Sequence, residues 1–291
     1  MSDADSLPQP ISAVFIGSNS RVAQLVGTAW PQSTSGGGKL LKLARRAGPG
    51  VTLTWDMAAP PPPLPEGPRP GALICFAGAT PRGGGDLGAN RDLAHAALGA
   101  ARAWGVHGFF LSSAAVYGDP GAAPADEQSP PRRTGDYGAA KLEMEQALLD
   151  SGHPGLTILR LGNVAGAGEP FDAAATPRDS VPLERFGDGT GPVRSFVGPR
   201  TLAHVLARLS ALATQGVPLP RLLNVAAPRP TAMADILDAL DRRWHWVDPR
   251  PDAIATVHLD TTRLAALCPL PRDCGSARSL VDELKRDAAR P

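Results

Sequence analysis

Short apolar runs alternate with amphipathic helical patterns through the first half of this chain, and this alternation restricts its fold more than any other feature. Residues 12–16 and 72–76 are apolar runs of strand length, and each leads into a turn that contains glycine. Between such runs, apolar residues recur at the spacing of one helix face. Strands and helices that alternate in this way are typical of parallel sheets covered on both faces. We therefore expect an α/β fold with a doubly wound, Rossmann-type parallel sheet.

The same patterns predict seven strands and six helices. The strands are expected at 12–16, 39–44, 51–55, 72–76, 106–111, 156–161 and 222–225, and the helices at 21–30, 90–104, 137–150, 201–213, from 231 and at 279–288. Only residues 47–50 separate the second and third strands, which is too short for a crossover helix. Residues 1–165 are predicted to form mainly the Rossmann domain. Residues 166–291 would complete the sheet and form a small substrate-binding lobe.

Composition excludes several classes of function. The formal net charge is +1, so no basic field of the kind that binds nucleic acid is expected. No apolar run reaches 18 residues, and residues 1–10 lack the pattern of an export signal, which predicts a soluble cytoplasmic protein away from membranes. Cys75, Cys268 and Cys274 are widely spaced, and neither C-x-x-C nor H-E-x-x-H occurs, so no metal site is predicted.

Tyr137 and Lys141 form the motif with the clearest chemical meaning. The chain contains only two tyrosines and four lysines, so this i, i+4 pair arises in roughly 3% of shuffled sequences. On a helix the two side chains share one face. A nearby ammonium favours the phenolate, and we therefore expect Lys141 to lower the pKa of Tyr137 and make it an acid/base group.

Five blocks in a characteristic order carry a resemblance to a known family. They are FLSSAAVYG at 110–118, YGAAK at 137–141, LRLGNVAG at 159–166, RSFV at 194–197 and LNV at 223–225. With these blocks the chain resembles the extended short-chain dehydrogenase/reductases, the NAD-dependent epimerase/dehydratase group, over most of its length. The resemblance implies that Ser113, Tyr137 and Lys141 are catalytic. Ser113 would hydrogen-bond a substrate oxygen, Tyr137 would exchange a proton with it, and Lys141 would also contact the nicotinamide ribose.

The residues after Ser113 restrict the chemistry further. Ala114 and Ala115 stand where the 4,6-dehydratases of the family carry an acidic pair that drives the elimination of water. The resemblance therefore implies redox or epimerising chemistry rather than 4,6-dehydration.

The cofactor loop departs from the family pattern. The family has G-x-x-G-x-x-G after the first strand, and the matching positions here are Gly17, Ser20 and Ala23, with Arg21 beside them. Because the second glycine lets the backbone approach the diphosphate closely, Ser20 predicts altered or weakened binding of the dinucleotide. The loop Phe76-Ala77-Gly78 matches the family's second contact with the cofactor.

Two readings of the cofactor preference remain. Arg45 and Arg46 follow the second strand, where arginine accepts a 2′-phosphate, which favours NADP over NAD. In the alternative register, residues 51–55 are the second strand, and Asp56 grips the ribose 2′-hydroxyl of NAD. A plainer alternative is that Arg45 and Arg46 are an ordinary solvated pair in an arginine-rich chain.

The substrate side carries less information. Asn163 and Arg194 match positions that family members use to hold a nucleotide-sugar diphosphate, although a structural role for Arg194 is an equal alternative. Thr201 and Gly198 stand where the family commonly has Asp and His. Asn90 matches a position that supports the active site, or it is a simple helix N-cap.

The sequence therefore predicts an NAD(P)-dependent oxidoreductase or epimerase. It would transfer hydride at a hydroxyl or carbonyl carbon of a small, nucleotide-sugar-like substrate. The alternative is a non-catalytic descendant that senses dinucleotide or serves as a scaffold. Family members often dimerise through the helix that bears the Tyr-Lys pair, and the Ala- and Leu-rich faces here are compatible with a homodimer.

Overall fold

The predicted strands and helices are present, and the second half adds short elements that the patterns did not predict. The computed structural model describes residues 11–30, 39–67, 69–121, 123–132, 135–177 and 179–288. Within these, the strands are β1 (Ile11–Ile16), β2 (Lys39–Ala44), β3 (Leu53–Thr54), β4 (Ala72–Cys75), β5 (His107–Ser113), β6 (Leu156–Leu161), β7 (Asn163–Val164), β8 (Val181–Glu184), β9 (Val193–Val197), β10 (Leu222–Val225), β11 (Pro230–Ala232), β12 (Trp244–Val247) and β13 (Thr256–Val257). The helices are α1 (Arg21–Ala29), α2 (Ala89–Trp104), α3 (Gly135–Asp150), α4 (Phe171–Ala175), α5 (Pro199–Thr214), α6 (Met233–Ala239), α7 (Thr262–Leu267) and α8 (Ala277–Ala288).

The seven predicted strands form one parallel sheet in the order β10-β6-β5-β4-β1-β2-β3. From β1 the chain moves outward through β2 and β3, and it returns to β4 on the other side of β1. This reversal makes a topological switch point between β1 and β4, where open α/β sheets bind ligands at the carboxyl ends of their strands. One face of the sheet packs against α1 and α5, and the other against α2 and α3. The predicted doubly wound Rossmann-type fold is confirmed.

No helix crosses between β2 and β3, as the short connection predicted. Leu43 pairs with Leu53 and Ala44 with Thr54 in parallel, and the Thr52 amide donates to the Lys42 carbonyl at 2.8 Å. β3 is therefore a short edge strand reached by a loop.

The second half of the chain contributes β10 to the sheet and builds smaller layers beside it. β9 pairs with β7, β11 and β13, while β8 pairs with β12. The helix predicted from Thr231 begins at Met233 instead, because Thr231 belongs to β11 and pairs with Arg194. The division at residue 165 remains a prediction. None of the helices in the described ranges is long and apolar enough to cross a membrane.

Candidate active site

A cleft of about 770 Å³ opens at the carboxyl ends of β1, β2, β3 and β4, beside the switch point. This volume lies within the range of small-molecule and cofactor sites. The cleft brings together most of the residues predicted to bind the cofactor: Gly17, Ser20, Arg45, Arg46, Asp56, Phe76, Ala77 and Gly78.

Gly17 permits the close approach of two loops at the base of this cleft. Its φ is 75°, in the left-handed region that favours glycine. A Cβ atom at Gly17 would also lie 2.6 Å from the Cα of Ala77. The loop after β1 and the loop after β4 can therefore meet only because residue 17 has no side chain.

The N-terminus of α1 faces the cleft through Ser20, which also caps the helix. Its Oγ accepts a hydrogen bond from the Ala23 amide at 3.2 Å. Ser18 is buried, and its hydroxyl has no hydrogen-bond partner among the described residues. A helix N-terminus with an unpaired hydroxyl nearby fits the diphosphate of a dinucleotide.

Arg21 does not line the cleft, contrary to its predicted role. Its Nε donates to the Gly166 carbonyl at 2.5 Å, and its Nη1 lies 4.0 Å from Oδ1 of Asp172. These contacts draw the guanidinium toward the second half of the chain, so the geometry gives no support for Arg21 as a cofactor ligand.

Arg45 and Arg46, which favour NADP, and Asp56, which favours NAD, border the same cleft. β2 pairs directly with β1, so Arg45 and Arg46 follow the second strand of the sheet. Asp56 follows the third strand, and its Oδ1 accepts a hydrogen bond from the Ala58 amide at 3.2 Å. Sequence reasoning missed Asn19, which lines the cleft and donates to the Arg46 carbonyl at 3.2 Å.

The three predicted catalytic side chains lie together at the end of β5. The Ser113 hydroxyl lies near enough to the phenol of Tyr137 to lower its pKa, and Ser113 Oγ accepts from the Ala115 amide at 3.2 Å. The Nζ atom of Lys141 lies 5.9 Å from the centroid of the Tyr137 ring and donates to the Leu111 carbonyl at 3.0 Å. The spacing of the sequence motif therefore does place the phenol, hydroxyl and ammonium in one cluster.

The pKa of Tyr137 departs from the expectation. Burial raises it above its ordinary value, and the opposing influence is the hydrogen bond from Ser113 rather than Lys141. Burial lowers the pKa of Lys141 to about 8, against the attraction of Cys75 and Glu145. The prediction that Lys141 lowers the Tyr137 pKa is wrong for this geometry, because the ammonium is directed to a backbone carbonyl. At neutral pH Tyr137 is a protonated acid.

Gly78 connects this cluster to the cleft. It lines the cleft, and a Cβ atom there would lie 2.7 Å from Oδ1 of Asn90 and 3.2 Å from Nζ of Lys141. Asn90 accepts from the Ala79 amide at 3.2 Å and donates to the Ala79 carbonyl at 3.1 Å. Since the N-cap of α2 is Gly88, Asn90 supports this loop rather than capping the helix.

Two of the predicted substrate residues, Asn163 and Arg194, lie in β7 and β9, outside the cleft lining. Arg194 donates to the carbonyls of Val193 and Ala255 from Nη1, at 2.8 and 2.9 Å, and to that of Ile254 from Nη2 at 2.6 Å. These bonds support the structural alternative for Arg194. Asn163 pairs with Phe196 between β7 and β9, and its side chain remains only a predicted ligand.

The altered positions at the start of α5, Gly198 and Thr201, have a structural explanation in α8. The carboxylate of Glu283 accepts from the Arg200 amide at 2.8 Å and from the Thr201 hydroxyl at 2.5 Å. A Cβ atom at Gly198 would run into this carboxylate. Glu283 therefore caps α5 from another helix and occupies the space that a side chain at 198 would need. Nothing in the local sequence pattern indicates this long-range cap.

The fold and the cleft at its switch point define a Rossmann-type α/β protein. Residues 84–210 match the model of the NAD dependent epimerase/dehydratase family. The predicted resemblance is thereby confirmed. No curated protein sequence matches the chain.

Solved structures of similar fold cover nearly the whole chain. UDP-glucose 4-epimerase from Bifidobacterium longum, in complex with NAD⁺ and UDP, is 19% identical, with a TM-score of 0.69 over 94% of this chain and 98% of that one. The Bordetella bronchiseptica enzyme WbmG, in complex with NAD and UDP, is 16% identical, with a TM-score of 0.70 over 96% and 95%. An NAD dependent NDP-hexosamine 5,6-dehydratase involved in tunicamycin biosynthesis is 19% identical, with a TM-score of 0.66 over 94% and 97%.

Proposed function

We propose that this protein is an NAD(P)-dependent oxidoreductase or epimerase that acts at a hydroxyl or carbonyl carbon of a small, nucleotide-sugar-like substrate. The observation that carries the proposal is the junction at Gly78. This glycine borders both the cleft at the switch point and the ammonium of Lys141, so a dinucleotide in the cleft would end beside the Tyr137–Ser113 pair.

The residues present fit such a cofactor. Glycines at 17 and 78 leave room that a Cβ atom would fill, and the buried Ser18 hydroxyl is unpaired in the described part of the chain. Gly17 and Ser20 would hold the diphosphate at the start of α1, and Gly78 the nicotinamide end. When bound, the dinucleotide supplies hydride transfer.

The protein's own groups account for the proton. Tyr137 is protonated at neutral pH, so it would donate its phenolic proton to the oxygen of a substrate carbonyl as that carbon is reduced. Ser113 would donate a hydrogen bond to the same oxygen, and Lys141, which lies beside Gly78, would contact the nicotinamide ribose. In the reverse direction, the phenolate takes the proton from an alcohol.

Two finer points belong to the same proposal. Ala114 and Ala115 carry no ionisable group, which argues against 4,6-dehydration, although proteins of this fold include a 5,6-dehydratase. Arg45 and Arg46 at the cleft favour NADP over NAD, whereas Asp56 favours NAD. An Arg45→Ala protein that still preferred NADPH would remove the first assignment.

Dinucleotide binding is the decisive experiment. The purified protein is titrated with NADH and with NADPH, and nucleotide fluorescence and thermal shift are recorded. Binding of one or both is expected, and Tyr137→Phe should abolish turnover of any substrate found while leaving cofactor affinity nearly unchanged. If neither nucleotide binds, the proposal that the protein is an NAD(P)-dependent enzyme is rejected.

The alternative is a non-catalytic member of the family, and the role of Ser20 favours it. This residue replaces a family glycine and is held as the cap of α1, which restricts how closely a diphosphate can approach. The same titration separates the two functions only partly, because a sensor would also bind. Turnover that depends on Tyr137 is the property that only the enzyme has.

A further inference from the structure

A buried carboxylate, Glu145, lies behind the catalytic cluster and belongs to none of the predicted roles. Its side chain and that of Arg160 are 1% and 4% exposed. The Arg160 guanidinium bonds it in a fork, from Nε to Oε1 at 3.0 Å and from Nη2 to Oε2 at 2.6 Å. The Ser112 hydroxyl donates to the same carboxylate at 2.5 Å. Glu145 therefore joins α3 to both β5 and β6.

The network continues from Arg160 to two further elements. Nη1 of Arg160 donates to the hydroxyl oxygen of Tyr117 at 3.0 Å, and this hydroxyl donates to Oδ1 of Asn224 at 2.7 Å. Tyr117 ends the short 3₁₀ turn 114–117 that follows Ser113, and Asn224 lies in β10. One buried ion pair thus connects α3, β5, β6, β10 and the turn that follows Ser113.

Three residues on one face of α3 meet three consecutive residues at the end of β5. Residues 137, 141 and 145 are spaced by four, so they share a helix face. Lys141 bonds the carbonyl of residue 111, Glu145 bonds the side chain of Ser112, and Tyr137 lies beside that of Ser113, which lowers its pKa. The register of the helix against the strand therefore sets the distance between phenol and hydroxyl, and Glu145 makes the most buried of the three contacts.

We propose that Glu145 is a positioning residue, which holds Tyr137 and Lys141 in register with Ser113 through its bonds to Ser112 and Arg160. The consequence for turnover rests on the proposed function, but the geometric claim does not. Stability by itself does not explain a buried ion pair, because apolar residues of equal volume often stabilise a protein equally well. Its place directly behind three candidate catalytic groups is what points to positioning.

The charges around Lys141 give this proposal a measurable consequence for the pKa of Lys141. Glu145 and the Tyr137 ring approach Lys141 from α3, Cys75 approaches from β4, and the carbonyl of residue 111 from β5. Cys75 is a protonated thiol at neutral pH, since burial raises its pKa to about 11. Glu145 is then the principal negative charge acting on Lys141, and its removal lowers the pKa of this lysine further.

Isotope-edited NMR tests the proposal without cofactor or substrate. The two tyrosines are labelled at ¹³Cζ and the four lysines at ¹³Cε, with Tyr137→Phe and Lys141→Gln proteins to assign the signals. Glu145→Gln is compared with Glu143→Gln, which removes the same charge from the exposed face of α3. Glu145→Gln should displace the Tyr137 resonance and move the Lys141 titration midpoint below its value of about 8. Glu143→Gln should leave both unchanged.

A second pair of variants covers the case in which Glu145→Gln does not fold because Arg160 is left unpaired. Ser112→Ala removes only the hydroxyl bond to Glu145, and Ser210→Ala removes a comparable buried bond, at 2.7 Å to the Leu206 carbonyl, within α5. Displacement of the Tyr137 resonance in the first protein alone supports positioning. If both serine variants melt lower and neither displaces it, Glu145 is only structural. A wild-type protein that binds no dinucleotide would reject the proposed function and leave this result standing.

Discussion

The cleft at the switch point and the lobe built around β9 each contain a cation that, by the family resemblance, would bind a ligand. The two regions differ in what this cation contacts. In the first region, Nζ of Lys141 bonds one backbone carbonyl and lies next to Gly78, at the edge of the cleft. In the second, the guanidinium of Arg194 bonds three backbone carbonyls. Burial lowers the pKa of both groups.

The difference shows that a residue at a family-matched position does not by itself identify a ligand-binding residue. Both residues agree with the family pattern, yet only Lys141 has a ligand cleft beside its charged atom. Arg194 already donates hydrogen bonds to the carbonyls of residues 193, 254 and 255, so its positive charge interacts with these carbonyl dipoles. The first region places its cation beside a cleft, and the second directs a predicted ligand to the backbone of the protein itself.

Replacing Gly17 by alanine should have the largest effect and would break the first region. A side chain at this positive φ collides with the backbone of Ala77, so we expect a loss of about 3–4 kcal/mol in the free energy of unfolding and of dinucleotide binding. Urea unfolding and NADH titration measure the two effects. Gly99→Ala is the matched control, because Gly99 lies in α2 with nothing within 4 Å, and it should gain about 1 kcal/mol. Equal effects of the two substitutions would contradict the close approach.

Lys141→Met should reveal how strongly the first region desolvates its cation. Below pH 8 Lys141 is protonated in both the folded and unfolded protein, and the folded state bears the cost of burying the charge. Between about pH 8 and 10.5 Lys141 is largely deprotonated in the folded protein but still protonated in the unfolded chain. Wild-type stability therefore rises with pH relative to the variant. The relative gain is on the order of 3 kcal/mol. It is measured by urea unfolding of both proteins across this pH range, and a constant difference would show that Lys141 is not desolvated.

Arg194→Met tests the second region. Three carbonyls lose their donor, and we expect a loss of about 2–3 kcal/mol in the free energy of unfolding with little change in NADH affinity. Arg278→Met is the control, since this side chain is 91% exposed and should change stability by less than about 0.5 kcal/mol. If Arg194→Met is instead as stable as wild type but no longer binds UDP or a related diphosphate, Arg194 is a ligand and the contrast between the regions disappears.

Ser20→Gly should have the smallest effect on stability and sharpen the comparison within the first region. Glycine replaces serine as an N-cap at a loss of only a few tenths of a kcal/mol. It also restores the family's second glycine, so NADH or NADPH should bind more tightly. Titration of both proteins decides this, and unchanged or weaker binding would mean that the Ser20 side chain does not impede the diphosphate.

Residues whose roles depend on local spacing could be predicted from the sequence. The seven strands of the sheet, the helix that carries Tyr137 and Lys141, and the position of Ser113 follow from periodicity and from motifs a few residues long. The second half was predicted less completely. Its strands β7, β8, β11, β12 and β13 have two to four residues, too few to show a period.

Contacts between distant parts of the chain were decided by the tertiary structure alone. Arg21 lies in the predicted cofactor loop and Arg194 matches a family position, but the carbonyls that hold them belong to residues 166 and 254–255, which no local pattern connects to them. The raised pKa of Tyr137 has the same origin, because burial and the direction of the Lys141 ammonium depend on packing. The sequence by itself determined which side chains of α3 share a face. Only the packing of α3 against β5 and β6 determined what that face touches, since desolvation and hydrogen-bond partners come from neighbours remote in sequence.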